Sequence, residues 1–108
     1  MTHTGPFTCS TTLIYREHED RNLWLGSKSM EKLLKNYNKY NLLADIHGHS
    51  HPSVGRANIG KLQIINPGAM VVRNFGILQL HRSPLDERWV IKKTEFIDLN
   101  TFPEYIKV

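Results

Sequence analysis

The stretch Leu42-Leu43-Ala44-Asp45-Ile46-His47-Gly48-His49-Ser50-His51-Pro52 sets the reading of the chain. Its first five residues are apolar apart from Asp45 and predict a short buried strand over 42–46. Gly48 and Pro52 then forbid a continued ladder, so residues 47–52 are expected to form a loop. Upstream, Met30, Leu33, Leu34 and Tyr37 recur at i, i+3, i+4 and i+7, which predicts an amphipathic helix over about 29–40. Lys28, Lys32, Lys35 and Lys39 take the opposite, solvated side. Ser27 or Ser29 can cap this helix, Glu31 suits its first turn, and Asn38 or Asn41 can close it. Helix, buried strand and polar loop in that order form an α/β unit. In open α/β sheets, ligands bind beyond the carboxyl ends of the strands, which is where the histidine loop falls.

Downstream the pattern turns to β. Strands are expected over about 59–65, 75–81 and 89–96, with turns at Asn66-Pro67-Gly68 and at Ser83–Glu87. On the amino-terminal side, Thr2–Thr12 reads as a loop and Leu13-Ile14-Tyr15 as a short strand or helical turn. Arg16–Asn22 is charged and expected to be exposed, and Pro103 argues against regular structure in the tail after Asn100. The expected class is α/β, grading into α+β. The 108 residues suit one small domain spanning 1–108.

Composition removes several functions. No apolar run approaches the ~20 residues that cross a bilayer, so no membrane partner is expected. The amino terminus lacks the charged start and apolar stretch of a secretory signal, and a cytoplasmic location is the expectation. The single cysteine, Cys9, leaves no intrachain disulfide and no thiolate zinc finger, and it reads as a small packed residue. The net charge of +4 comes largely from the helix lysines rather than from a basic run, so no nucleic-acid partner is expected on this pattern.

Chemistry concentrates in the six histidines. His47, His49 and His51 alternate, and His3 follows a possible strand end. Imidazole is the commonest nitrogen ligand for Zn, Mn or Fe. In extended backbone, residues i and i+2 project to one side, so alternate histidines can face one small volume. Gly48 and Ser50 let the backbone approach closely. His18 and His81 read as a solvated loop residue and a strand-end residue. Arg56 and Arg73 are the nearest guanidinium groups in sequence and are read chiefly as exposed charges that could reach a phosphate.

Gly48-His49-Ser50-His51 resembles the Gly-His-x-His motif of the calcineurin-like metallophosphoesterases. Thr2-His3-Thr4-Gly5-Pro6 resembles the Thr-His segment of that family, and Ile65-Asn66-Pro67-Gly68-Ala69 its Asn-Pro-Gly-Ser turn, with Ala69 in place of the serine. Order and spacing match along essentially the whole chain. Of the family's amino-terminal motifs, which supply its carboxylate ligands and catalytic histidine, Gly-Asp-x-x-Asp and Gly-Asn-His-Asp/Glu do not occur here, and the one Asp-x-His, Asp45-Ile46-His47, falls inside the histidine stretch rather than ahead of the Thr-His segment. The resemblance therefore implies the C-terminal half of a β-sandwich flanked by helix. It implies a hydrolase of phosphate esters whose complete site holds two divalent ions (Mn, Zn or Fe) that clamp the phosphate and activate a water. By match of position, His3 and His49 would bind one ion and His51 the other. His47, Asn66 and Gly68 would stand behind the ligands or touch substrate. Such a chain, weakly active or inactive alone, would work with its missing half or as a homo-oligomer. A non-catalytic protein-interaction module on the same fold is the other function this resemblance allows.

Overall fold

A computed structural model of the chain describes residues 1–37 and 42–101. The elements are β1 (Leu13–Arg16), β2 (Arg21–Trp24), α1 (Lys28–Tyr37), β3 (Ala44–Ile46), β4 (Gly55–Ile59), β5 (Leu62–Asn66), β6 (Asn74–Arg82) and β7 (Trp89–Asp98). The class is mixed α+β. Strands predominate among the described residues and form three small sheets, β1-β2, β3-β5-β4 and β6-β7, beside one α-helix.

α1 forms where the stripe predicts it, and Ser27 is the cap, its Oγ accepting the Met30 N–H at 3.1 Å. Glu31 sits in the first turn, where its carboxylate also accepts the N–H and hydroxyl of Thr8. Leu34 is buried and Met30 packs against the core, but Leu33 is 46% exposed. The helix thus touches the sheet along a narrower line than the sequence stripe suggests. The side chain of Tyr37, the expected helix end at 38–40 and the closing Asn38 or Asn41 lie outside the described residues, as does the tail around Pro103.

β5 is the centre of the molecule. It pairs in parallel with β3 (Ala44 to Gln63, Ile46 to Ile65) and antiparallel with β4 (Gly55 to Asn66, Ile59 to Leu62). Leu62 and Ile64 join Leu34 and Cys9 in the core, with Met30, Ala57 and Ile59 against them. Burying a side chain of this size contributes roughly 1.5–3 kcal/mol. Ile65 faces the other way, toward the β6-β7 hairpin, where an apolar gap of about 80 Å³ separates Ile46, Ile65 and Pro67 from Gly76, Leu78 and Thr94.

One expectation is corrected. The single strand placed over 59–65 is instead a hairpin of β4 and β5, because Gly60 at φ +60 turns the chain between Ile59 and Leu62. The exposed segment 16–22 is the tip of a β1-β2 hairpin, with Tyr15 opposite Asn22 and Leu13 opposite Trp24. The other strands start or end within two residues of where the pattern puts them. No helix among the described residues is long and apolar enough to cross a membrane.

Candidate metal centre

The histidine loop begins at the carboxyl end of β3. The parallel ladder runs one residue past it, the His47 N–H donating to the Ile65 carbonyl at 2.9 Å. On the opposite edge of β3 the amino-terminal segment lies alongside. The Thr2 N–H donates to Ile46 O at 2.9 Å and the Gly48 N–H donates to His3 O at 3.0 Å. Thr2 is fixed a second time by its hydroxyl, which donates to Asp45 Oδ2 at 3.1 Å. These contacts carry His3 to the histidine loop. The His3 and His49 rings meet at a centroid distance of 5.0 Å with planes inclined at 60°. Both residues are exposed.

Beyond Gly48 the loop is not extended. The Ser50 N–H donates to Gly48 O at 2.7 Å, and the His51 N–H to His49 O at 3.0 Å, two successive three-residue turns. His49 is held at φ +64, a left-handed conformation uncommon for a residue with a Cβ. The alternation of His49 and His51 therefore does not carry over into a shared direction, since that geometry needs an extended backbone. His51 is exposed and does not join the pair. Among the described residues, no three His, Cys, Asp or Glu side chains converge closely enough to hold an ion.

His47 has a different environment. It is 2% exposed and both ring nitrogens are engaged. Its Nδ1 lies 2.9 Å from Gly48 O, and a carbonyl can only accept, so Nδ1 carries the proton. Nε2 then accepts from the Thr11 hydroxyl at 2.7 Å, and Thr11 Oγ1 in turn accepts the Cys9 S–H at 3.1 Å. Gly5, at φ +71, allows this ring to sit where it does: a Cβ there would come within 2.6 Å of His47 Cδ2.

Asn66 is fully buried and ties the loop down. Its Nδ2 donates to Ser50 O at 2.8 Å, Ser53 O at 3.0 Å and Thr11 O at 3.0 Å, while its Oδ1 accepts the Gly68 N–H at 3.0 Å. Gly68 is partly buried, packed toward Asn74 and Val54. Asn66 and His47 thus set the backbone of the loop from beneath and present no atom to solvent chemistry. Ser50 is also fully buried, and its hydroxyl has no hydrogen-bond partner among the described residues. Arg56 lies exposed on β4, and Arg73 exposed in the turn before β6.

Sequence reading missed Thr11 and Asp45. Asp45 carried a signal, because a carboxylate inside a buried strand must find a donor. Thr11 carried none, since its partner lies 36 positions away. The displaced proton affinities lie elsewhere. The Thr8 hydroxyl holds the Glu31 carboxyl below its ordinary range, and the Arg88 backbone N–H does the same for Asp86. A larger cleft, of about 920 Å³, opens between Leu43 and Gln63 on one side and Leu80 and Trp89 on the other, and no histidine lines it.

The donor set at the exposed pair is two neutral nitrogen bases without a carboxylate. That suits partial coordination of one transition-metal ion and does not suit a dinuclear cluster, whose bridging needs carboxylate oxygens. No family model, no curated protein and no solved structure matches the chain.

Proposed function

We propose that this chain contributes the histidine-bearing part of a metal-dependent phosphoesterase site, in the manner of the calcineurin-like phosphoesterases, with His3 and His49 as metal ligands. The observation that carries this reading is the 5.0 Å approach of two exposed imidazoles from opposite ends of the Thr-His and Gly-His-x-His motifs. A bound Mn, Zn or Fe ion would supply Lewis acidity toward a phosphate ester. This chain's own part is to fix the two rings. Asp45 and Thr2 hold the His3 segment against β3, and Asn66, Thr11 and His47 hold the loop that bears His49. His51 belongs to the site only if a second ion or the missing half of the domain draws it in. The sandwich and its dinuclear centre belong to that complete assembly, and the chain alone is expected to hydrolyse phosphate esters weakly or not at all.

The test is metal binding by equilibrium dialysis against Zn²⁺ and Mn²⁺, with turnover of an aryl phosphate measured alongside. His3→Ala and His49→Ala are each expected to weaken binding at least tenfold. Equal binding by wild type and the double variant would remove the assignment.

A second reading, a protein-interaction module, is favoured by the apolar surface left open. Trp89 (56%), Ile77 (49%) and Leu80 (43%) are all exposed on one hairpin. Salt-insensitive capture of a protein partner by a His3/His49 double variant would support it over the metal reading.

A further inference from the structure

We infer that the Met70–Val72 loop is a peripheral anchor that seats the protein on an anionic lipid surface, its apolar tip among the headgroups and Arg73 and Arg56 on the lipid phosphates. Metal binding by the histidines is not needed for this contact. Nothing here spans a bilayer. A peripheral contact needs only an apolar element that enters the headgroup boundary and cations beside it.

Met70, Val71 and Val72 are consecutive and all exposed, Val71 to 81%. Val54, also exposed, borders the same loop, since a Cβ on Gly68 would lie within 2.8 Å of its Cγ2. Looseness does not account for this exposure. The loop is a closed turn, the Val72 N–H donating to Ala69 O at 3.1 Å and the Arg73 N–H to Met70 O at 2.9 Å. It is also tied to the chain after β7. Asn100 Nδ2 donates to Val72 O at 3.0 Å, and the Leu99 N–H donates to Arg73 O at 2.9 Å. Arg73 completes the turn in a left-handed conformation at φ +64, uncommon for a residue with a Cβ. A backbone fixed in this way holds three large aliphatic side chains in water, and such a patch marks a contact surface.

Charge selects the occupant. All ten Asp and Glu of the chain lie outside residues 46–85, where ten Lys and Arg offset them. The helix lysines are among those offset. The surplus of +4 therefore belongs to Arg56, Lys61, Arg73 and Arg82, which corrects its assignment to the helix. Arg82 is paired with Glu87, and Lys61 lies at the far end of β5. Arg73 follows the tip directly, and Arg56 lies two residues along β4 from Val54, on the same face of that strand. Both are exposed and neither makes an ion pair among the described residues. Asp98, opposite Asn74 at this end, is turned to the Asn100 N–H at 2.9 Å and its side-chain amide at 2.8 Å. Aliphatic side chains flanked by free guanidinium groups suit a lipid boundary, where the cations meet phosphate and the apolar groups pass beyond it. Nucleic acid is met by aromatic side chains set between the cations, and this tip has none. The exposed apolar residues of the β6-β7 hairpin fit less well, because Asp86 and Glu87 at its turn repel anionic lipid.

The experiment is co-sedimentation of the full chain with vesicles of phosphatidylcholine alone and of phosphatidylcholine with about 30% phosphatidylserine, with folding of every variant checked by circular dichroism. Partition into the anionic vesicles is expected to exceed that into neutral ones roughly tenfold or more, and to fall as salt is raised. Val71→Asp and Arg73→Glu are each expected to reduce it roughly tenfold. Leu85→Asp, at the hairpin turn, and the His3/His49 double alanine variant leave it unchanged. In Val71→Trp, the added indole emission is expected to shift to the blue when anionic vesicles are added. No partition into anionic vesicles, equal partition into neutral ones, or partition that survives Val71→Asp would overturn the inference. Binding of a DNA duplex in place of vesicles, lost in Arg73→Glu but kept in Val71→Asp, would assign the arginines to nucleic acid and overturn it as well. The metal reading stands or falls separately, because the vesicle assay contains no metal ion.

Discussion

The β3-β5-β4 sheet and the β6-β7 hairpin are held together by different physics. Around β5, buried polar side chains do much of the fastening. Asn66 joins three carbonyls, Thr12 donates its hydroxyl toward the carbonyls of Pro6, Phe7 and Cys9, and Thr11 joins Cys9 to His47. Each of these side chains is at or near zero exposure, so each bond is made away from competing water. The hairpin is the longer element, yet it rests mainly on its own ladder. Its register slips at Gln79/Leu80, and many of its large apolar side chains stay in solvent. A network of this kind fixes a loop in one conformation, whereas a ladder alone tolerates substitution. That contrast explains why the side chains of the histidine loop, rather than those by the larger cleft at the hairpin, are held in fixed positions.

The sharpest way to break the comparison is Asn66→Asp. The change keeps the shape but faces three buried carbonyls with an acceptor, and each unpaired buried polar group costs roughly 1–3 kcal/mol. A loss of about 3–5 kcal/mol is expected, a large part of the ~5–15 kcal/mol that holds a small domain, or outright failure to fold. Urea denaturation measures it, and a loss below about 1 kcal/mol would show that the network is not what holds the centre.

Gly5→Ala is expected to come next, at about 2–3 kcal/mol. The new methyl group both strains a left-handed backbone and meets the His47 ring. Two-dimensional NMR should show the shift concentrated at Thr11, His47 and Gly48. A stable variant with unchanged His47 signals would mean that the ring is not confined as described.

The smallest effect belongs to the hairpin. Leu80→Ser, at a side chain 43% exposed, should change stability by no more than about 0.5 kcal/mol. A cost of ~2 kcal/mol or more would erase the distinction, because it would show Leu80 to be packed in solution.

How far these features were legible in the sequence varied with distance along the chain. The helix was readable because Met30 and Leu34 lie one turn apart, and Ser27 caps locally. β6 and β7 were readable because alternation and the Ser83–Glu87 turn are local too. The β4-β5 hairpin was missed because Gly60-Lys61 is a turn only if Arg56, Ala57 and Asn58 are taken as strand, and those residues alternate weakly. The histidine loop was placed correctly at the end of β3, but its internal geometry was not readable. Two tight turns replaced the extended path that would have aligned His49 with His51.

The sequence by itself determined the class of the fold, the strand-then-loop position of the histidines and the candidate ligands as residue types. Those depend on periods of two and 3.6 residues, and such periods are written locally. Only the tertiary structure decided which histidines meet. His3 reaches His49 because the Thr2 and Gly48 N–H groups bond across to Ile46 and His3, and His47 leaves the surface because Thr11 and Gly5 make room and a partner for it. These are long-range pairings of single atoms, and they carry no period for a sequence to show.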